Sequence, residues 1–494
     1  MAKGAGISFS VRGRMGSERA PRREADDPFR LLLVGDFGAR SVEAPPALRR
    51  PRRVDIAELE GVFAQFSAEL EVPVPLGMER LSPRSLDDLH PDRLFETLEA
   101  FSEARELLSA LGARTLSAET LTRTRAYLAG LQSEPAAPAT TTSDRNDAST
   151  LDRLLGRTPA ADAQPQAAAS PLQALLEDAV RDHKTDAPGG ERDVLKAELV
   201  RALGRAMRSI LQHPPFRALE ATWRGADRVI RTLDTDEALE IYLFDISLEE
   251  LIATFAETVD PEQSELHQLL VANAPGWTVV SAAFAFGRDD AELQALAALG
   301  ALSARSGAAL LADAAPELLG YPSLDALVAV EGRSERMLSP LFQALRATPL
   351  APHIGLVLPR VLGRARYGKK ADSIESFPFE EIGADSLATR ERLWTSAAFA
   401  AAELLGLAFR EHSWGYSESV GLTLADLPSD TYEHDGERSL VPPSEAALTQ
   451  RAAEAVLAQG VMPFIARRDR ASLSLLQLAS IAEPRSALLG IDSA

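Results

Sequence analysis

The sequence predicts an α/β protein: a small α/β domain joined by a flexible linker to a larger α/β domain whose helices cover a mixed sheet. Three observations carry that reading. From Asp193 onward, short apolar runs alternate with amphipathic stretches at helical spacing, the pattern of strands covered by helices. Between residues 132 and 170 the composition turns to Pro, Ala, Thr, Ser and Asp, with almost no large apolar side chains, as in linkers. The 494 residues are about three times the ~150 of one domain. With 46% hydrophobic and 25% charged residues the chain is of ordinary globular composition, which excludes a wholly disordered protein.

In chain order, residues 1–27 are polar and mixed in charge, a flexible arm. The run from Pro28 to Phe37 is apolar and meets Gly35, the signature of a buried strand entering a turn. Asp55 and Glu58 form a capping box for a helix carrying Leu59, Phe63 and Phe66. The alternation from Glu69 to Pro75 predicts a strand, and Ser82 to Leu131 reads as helical, with Leu94, Phe95, Leu98 and Phe101 on one face. The first domain therefore spans 28–131 and the linker 132–170. Two short amphipathic islands follow, Leu151–Leu155 inside the linker and Leu172–Val180 just after it, each too short to be stable alone. In the second domain, 171–494, helices are predicted over Val194–Gln212, Phe216–Leu233, Asp289–Ala304 and Leu387–Phe409. Strands are predicted over Leu239–Ile246, Trp277–Phe286, Ala308–Ala312 and Ile354–Leu358. Trp223 shares a face with Phe216, Leu219, Val229 and Ile230, which makes it a core anchor.

The net charge of −20 repels phosphate backbones, so no nucleic-acid partner is expected. No run of about 18 apolar residues exists and the N-terminus lacks an apolar signal core, so neither membrane insertion nor export is expected. The absence of cysteine excludes disulfides, thiolate metal sites and cysteine nucleophiles, and suits a cytoplasmic protein. Only five of the 52 basic residues are lysines, and the arginine excess reads first as coding bias.

Several strings imitate catalytic motifs. Gly363 to Lys369 has P-loop spacing, but Lys370 stands where magnesium needs a hydroxyl. Asp36-Phe37-Gly38 lacks the companion loops of a kinase. No two histidines lie three to five residues apart, so no helix presents a chelating pair. Ser417 lies outside any Gly-x-Ser-x-Gly elbow, and the acidic pairs Asp87-Asp88, Glu249-Glu250 and Asp289-Asp290 suit helix starts. No enzyme, cofactor or metal site is expected. The segment 360–370 carries five cations, Arg360, Arg364, Arg366, Lys369 and Lys370. It reads either as a solvated loop or as a docking strip for the acidic surface of another subunit.

Two sets of strings resemble known families. Pro28 to Gly38, the Arg-Arg-Val-Asp-Ile stretch at 52–56 and Ser85-Leu-Asp-Asp-Leu-His-Pro-Asp92 resemble the small contractile-sheath subunit of type VI secretion systems (TssB/VipA-like), over about 28–131. Pro215 to Gly225, Gly355 to Arg360, Arg366-Tyr367-Gly368, Phe379 to Glu381, Leu393 to Phe399, Leu427-Pro428, Pro443 to Glu445 and Gly460 to Phe464 resemble the large subunit (TssC/VipB-like), over about 170–484. The resemblance departs from the usual pattern by joining both subunits in one chain and by a shorter C-terminus.

The resemblance implies a fused sheath protomer that assembles with itself into a helical tube around an inner tube and contracts to drive it outward. Its implied partners are the inner tube protein, baseplate components and a hexameric unfolding ATPase. In the family that ATPase grips a short helix near the start of the large subunit. Leu172, Leu175, Leu176 and Val180, beside Glu177 and Asp178, match it by position, with Leu151–Leu155 as the second candidate; the alternative is that both islands simply pack on the sheath domain. The competing function is a sheath-derived adaptor or cap that does not contract.

Overall fold

Strand β1, Phe29–Gly35, buries every residue except Arg30 to a fraction of its free exposure, and its position organises the sheet. The computed structural model describes residues 26–39, 49–113, 117–132, 188–256, 260–329, 338–383, 387–415, 422–434, 436–467 and 470–491. Later strands are β2 (Arg52–Val54), β3 (Leu70–Val74), β4 (Gly77–Leu81), β5 (Leu239–Asp245), β6 (Val279–Phe286), β7 (Ala309–Ala314) and β8 (Ile354–Leu358). They are followed by β9 (Val361–Leu362), β10 (Trp394–Thr395), β11 (Thr423–Leu424), β12 (Thr431–His434), β13 (Glu437–Leu440), β14 (Val461–Ala466) and β15 (Leu473–Leu475).

Among the described residues the main sheet has the order β11-β15-β14-β8-β7-β6-β1-β5-β2. The six central strands, β14 to β5, run parallel, while β2 at one end and β15 and β11 at the other pair antiparallel. The fold is thus α/β with a mixed sheet. Strand β1 lies inside it: Leu31 stands opposite Ile241 of β5 and Val279 of β6. Strands buried on both faces read as continuous apolar runs, which is why Leu-Leu-Leu-Val occupies this slot.

Alternation divides the strand residues between two faces. Leu32, Val34, Phe244, Val280, Leu310 and Leu356 join one core with Leu293, Leu296 and Leu299 of the helix Asp290–Arg305 and Phe342 and Leu345 of the helix Pro340–Arg346. The helix Ala397–His412 packs against β1, β6, β7 and β8 and against the helix Pro214–Leu233. A Cβ at Gly406 would meet the Leu233 side chain at 2.5 Å, so any larger residue would force that leucine to shift where the two helices meet.

Three predicted helices differ from those observed. The helix read from a capping box at Asp55 and Glu58 spans Leu59–Phe66, with Glu58 as its N-cap and no side-chain cap bond, while Asp55 Oδ1 accepts the Glu58 amide at 2.8 Å. The stretch Ser82 to Leu131 is divided into a 3₁₀ turn at Leu86–Leu89, a helix Pro91–Thr97, a second 3₁₀ turn at Glu99–Phe101 and helices Ser102–Gly112 and Ala118–Gln132. Ser85 and Asp88 close a capping box at its start, and Pro91 opens a fresh helix behind the His90 cap. The helix predicted from Leu387 begins at Ala397, where the Ser396 hydroxyl accepts from the amide of Phe399. Trp394 and Thr395 instead pair with Leu362 and Val361 as β10. Pro214 and Pro215 begin the next helix as well as stopping the previous one.

The described residues fall into two units: one within Met1–Pro73, Glu79–Leu98 and Met207–Ala494, which holds the whole sheet, and one within Val74–Met78 and Glu99–Ala206. In the second, Leu107, Leu111, Tyr127, Leu128, Leu195, Leu199 and Leu203 are buried, and Arg123 pairs on the surface with Glu103 and Glu106.

Candidate functional site: an aromatic seat and a buried ion network

On the helix Pro214–Leu233, Phe216, Leu219, Trp223, Ala226 and Ile230 recur at helical spacing and are all buried. Trp223 is 1% exposed. Its ring is seated against Phe37, Phe63 and Phe66, with centroid separations of 4.9, 4.2 and 5.6 Å, the first and last within the range of favourable aromatic pairs and the second a closer contact. Its Nε1–H donates to the Phe37 carbonyl at 2.9 Å. All three rings come from the N-terminal segment, Phe37 from the turn after β1 and the others from the helix Leu59–Phe66.

Beneath the 360–370 segment lies a second feature. Glu220 sits on the apolar face of the same helix, wholly buried. It accepts from Arg364 Nε at 2.8 Å and from Arg224 Nε at 2.7 Å. Arg364 forks onto Glu381 through Nη1 and Nη2 at 2.7 and 2.9 Å, and its guanidinium lies 4.0 Å from the centre of the Tyr367 ring. Glu381 also accepts the Tyr367 amide at 2.8 Å, and Arg224 Nη2 donates to the Tyr367 hydroxyl at 3.0 Å. Burial would push the Glu220 acid up, but the charges of Arg364 and Arg224 overcome it and hold it at about 2. Burial pushes the Tyr367 phenol up to about 12. Nearby, Asp430 is buried between Arg392, whose Nη1 donates to it, and Arg366.

The cationic strip therefore divides. Arg364 and Arg366 are 8% and 3% exposed and serve the interior, which corrects their reading as surface contacts: a charge this deep needs a partner, and Glu220, Glu381 and Asp430 provide it. Arg360 is half-exposed and forks onto Glu445 at 2.8 and 2.6 Å. Lys369 and Lys370 are exposed, and Lys370 Nζ meets Glu433 at 2.6 Å. The P-loop-like string spends its amides on the protein's own acids, Tyr367 on Glu381 and Lys369 on Glu380. The islands Leu151–Leu155 and Leu172–Val180, with Leu172, Leu175, Leu176 and Val180, lie outside the described residues.

Asp92, the last residue of the string beginning at Ser85, fastens this region. Its Oδ1 accepts from the Ser376 amide at 2.9 Å and hydroxyl at 2.6 Å, and its Oδ2 from the Glu375 amide at 3.0 Å. Beside it Phe95 packs on Phe377, and His90 stands edge-on to Tyr367, each at 5.0 Å. Glu220 had a signal in the sequence, a carboxylate on an otherwise apolar helix face four residues before Arg224. Glu381 and Glu445 stood in strings that resemble the large sheath subunit, with nothing local to mark them as partners of Arg364 and Arg360, and Asp430 had no signal.

Asp36 follows β1 and lies among acids. Burial first, then Asp245, Glu250 and Glu249, raise it to about 6, while Arg49, fastened to Glu250 at 2.6 and 2.7 Å, faces the same group. A carboxyl raised from 3.8 to about 6 on folding favours the native state below pH 3.8, and that contribution is lost as pH rises to about 6. The gain in stability of Asp36→Asn over the parent should therefore grow from pH 4 to about 6 and then level off, read from urea midpoints at fixed salt. A difference independent of pH would show that Asp36 has no raised acid.

Residues 193–482 match the family described as VipB: EvpB/VC_A0108, tail sheath N-terminal domain. The match covers more than half of the chain, and the chain belongs to this family. The type VI secretion system sheath protein TssC1 of Pseudomonas aeruginosa is 26% identical over 296 residues, 56% of this chain and 58% of that protein. The alignment thus spans little more than half the length of that relative. No helix among the described residues is long and apolar enough to cross a membrane, and no group of three or more His, Asp or Glu side chains among them is placed to hold a metal.

Proposed function

We propose that this chain is a structural component of a type VI-like contractile sheath, assembling with copies of itself into a helical tube. One observation carries the reading. The family match begins at residue 193, yet the parallel sheet of that region takes a central strand from Phe29–Gly35, between β5 and β6. The N-terminal segment completes the sheath domain, as a small sheath subunit joined in one chain would. The inner tube, baseplate components and a hexameric unfolding ATPase are the proposed partners, the cytoplasm the proposed location, and Leu172–Val180 the proposed ATPase handle. No catalytic role is proposed.

Electron microscopy of the purified full chain tests the proposal. Regular tubes are expected; discrete particles under every condition would favour the adaptor or cap. Of the cationic strip, Arg360, Lys369 and Lys370 remain as the proposed subunit contact. Reversing Lys369 and Lys370 to Glu should leave the melting temperature within about 2 °C, since exposed pairs contribute little, while reducing assembly and its sensitivity to salt. Assembly indifferent to the reversal would return the strip to a solvated loop.

A further inference from the structure

A cleft of about 370 Å³ opens at the carboxyl ends of β6, β7 and β8, the position where open α/β sheets take up ligands. Its volume falls within the range of small-molecule sites. Ala285, Ala314, Val357, Leu358 and Pro359 make its apolar wall, and Asp313 lies in it, 4% exposed. The Ser396 hydroxyl and the Ala398 amide reach Asp313 at 3.0 and 2.7 Å, and both bonds end on Oδ1. Among the described residues no side chain donates to Oδ2; the Ala397 amide is a further backbone donor to the carboxylate. The two arginines of the cleft each have their own carboxylate, Arg360 on Glu445 at 2.6 Å and Arg390 on Asp325 at 3.6 Å. Asp313 is the one carboxylate lining the cleft without an ion pair of its own among the described residues, although the Arg360 charge acts on it.

We propose that this cleft binds an alkylguanidinium group, its alkyl stem along the apolar wall and its planar head on Asp313 Oδ2. A guanidinium suits the place better than an ammonium because it is more weakly hydrated and loses less on leaving water. Burial raises the Asp313 acid to about 7 against the pull of the Ser396 and Ala397–Ala398 donors and of Arg360. Asp313 is thus partly protonated near neutrality, and a bound cation should expel that proton. Glu445, Asp325 and Arg390 are the other charged groups lining the cleft.

The test is calorimetric titration of the full chain with n-butylguanidinium and with neutral N-butylurea at pH 7. Saturable binding is expected for the cation, weaker by at least about tenfold for the urea and for Asp313→Asn. The rim variant Asp325→Asn should bind nearly as the parent does. Asparagine retains the Oδ1 acceptor for the 397–412 helix, but the parent alone also decides: titrations in two buffers of different ionisation enthalpy should reveal proton release. Equal affinity for cation and urea, undiminished binding in Asp313→Asn, or heats independent of buffer would overturn the proposal. If the cation is an arginine side chain of a second copy, the assembled protein will exclude the probe; if it is a free small molecule, both forms will bind it.

Discussion

Trp223→Ala should lower the melting temperature by on the order of 10 °C or leave the sheet-bearing unit unfolded. Removing a fully packed tryptophan costs about 3–5 kcal/mol, and native domains hold only about 5–15 kcal/mol in all. The variant also leaves the Phe37 carbonyl without its donor, 2.9 Å from Nε1 in the parent, a further loss. Because Phe37, Phe63 and Phe66 all rest on this ring, the damage should reach the N-terminal segment: residues near Phe37 should become the first site of protease cleavage. Trp223→Phe should recover much of the packing but not the hydrogen bond. Melting of Trp223→Ala within about 2 °C of the parent would exclude the seat as a keystone.

Arg364→Ala should be nearly as damaging, for an electrostatic reason. It leaves buried Glu381 without its guanidinium and buried Glu220 with Arg224 alone, each carboxylate lying within 3 Å of Arg364 in the parent. Breaking a buried pair on one side costs about 3–5 kcal/mol. Neutralising all three, as Arg364→Met with Glu220→Gln and Glu381→Gln, should recover a large part of that loss. The pH profile carries a separate signature. Glu220 is held at about 2, below its ordinary 4.5, so its contribution is present above pH 4.5 and is lost as pH falls toward 2. In Arg364→Ala the depression shrinks and the acid limb should flatten. An Arg364→Ala protein with parental urea midpoint and parental acid limb would mean that the network is not formed.

These two sites differ in how far the sequence announces them. The periodicity of Phe216, Leu219, Trp223 and Ile230 marks a buried face, because helical spacing is a local property. The three rings that seat Trp223 lie about 160 to 190 residues away, and no local rule pairs them. The cationic segment 360–370 is the sharper case. Five charges in a short loop read as solvated, yet Arg364 and Arg366 face inward, because the acids that neutralise them arrive from Glu220, Glu381 and Asp430. Helix-favouring residues continue upstream of Ala397 as far as Leu387, yet the helix starts only at Ala397. The competing strand pair Trp394–Thr395 with Val361–Leu362 is nonlocal and prevails there.

By itself the sequence determined the α/β class, the strand character of Phe29–Gly35, the buried face of Trp223 and the strings that point to a sheath family. Hydrophobic spacing, caps and glycine turns act within a few residues and can be read along the chain. Only the tertiary structure decided that β1 lies between β5 and β6, that Asp92 fastens Glu375 and Ser376, and that Asp313 lines a cleft at the start of the 397–412 helix. Parallel strands have no turn to set their neighbour, and a charge is buried or exposed according to what the rest of the chain brings beside it.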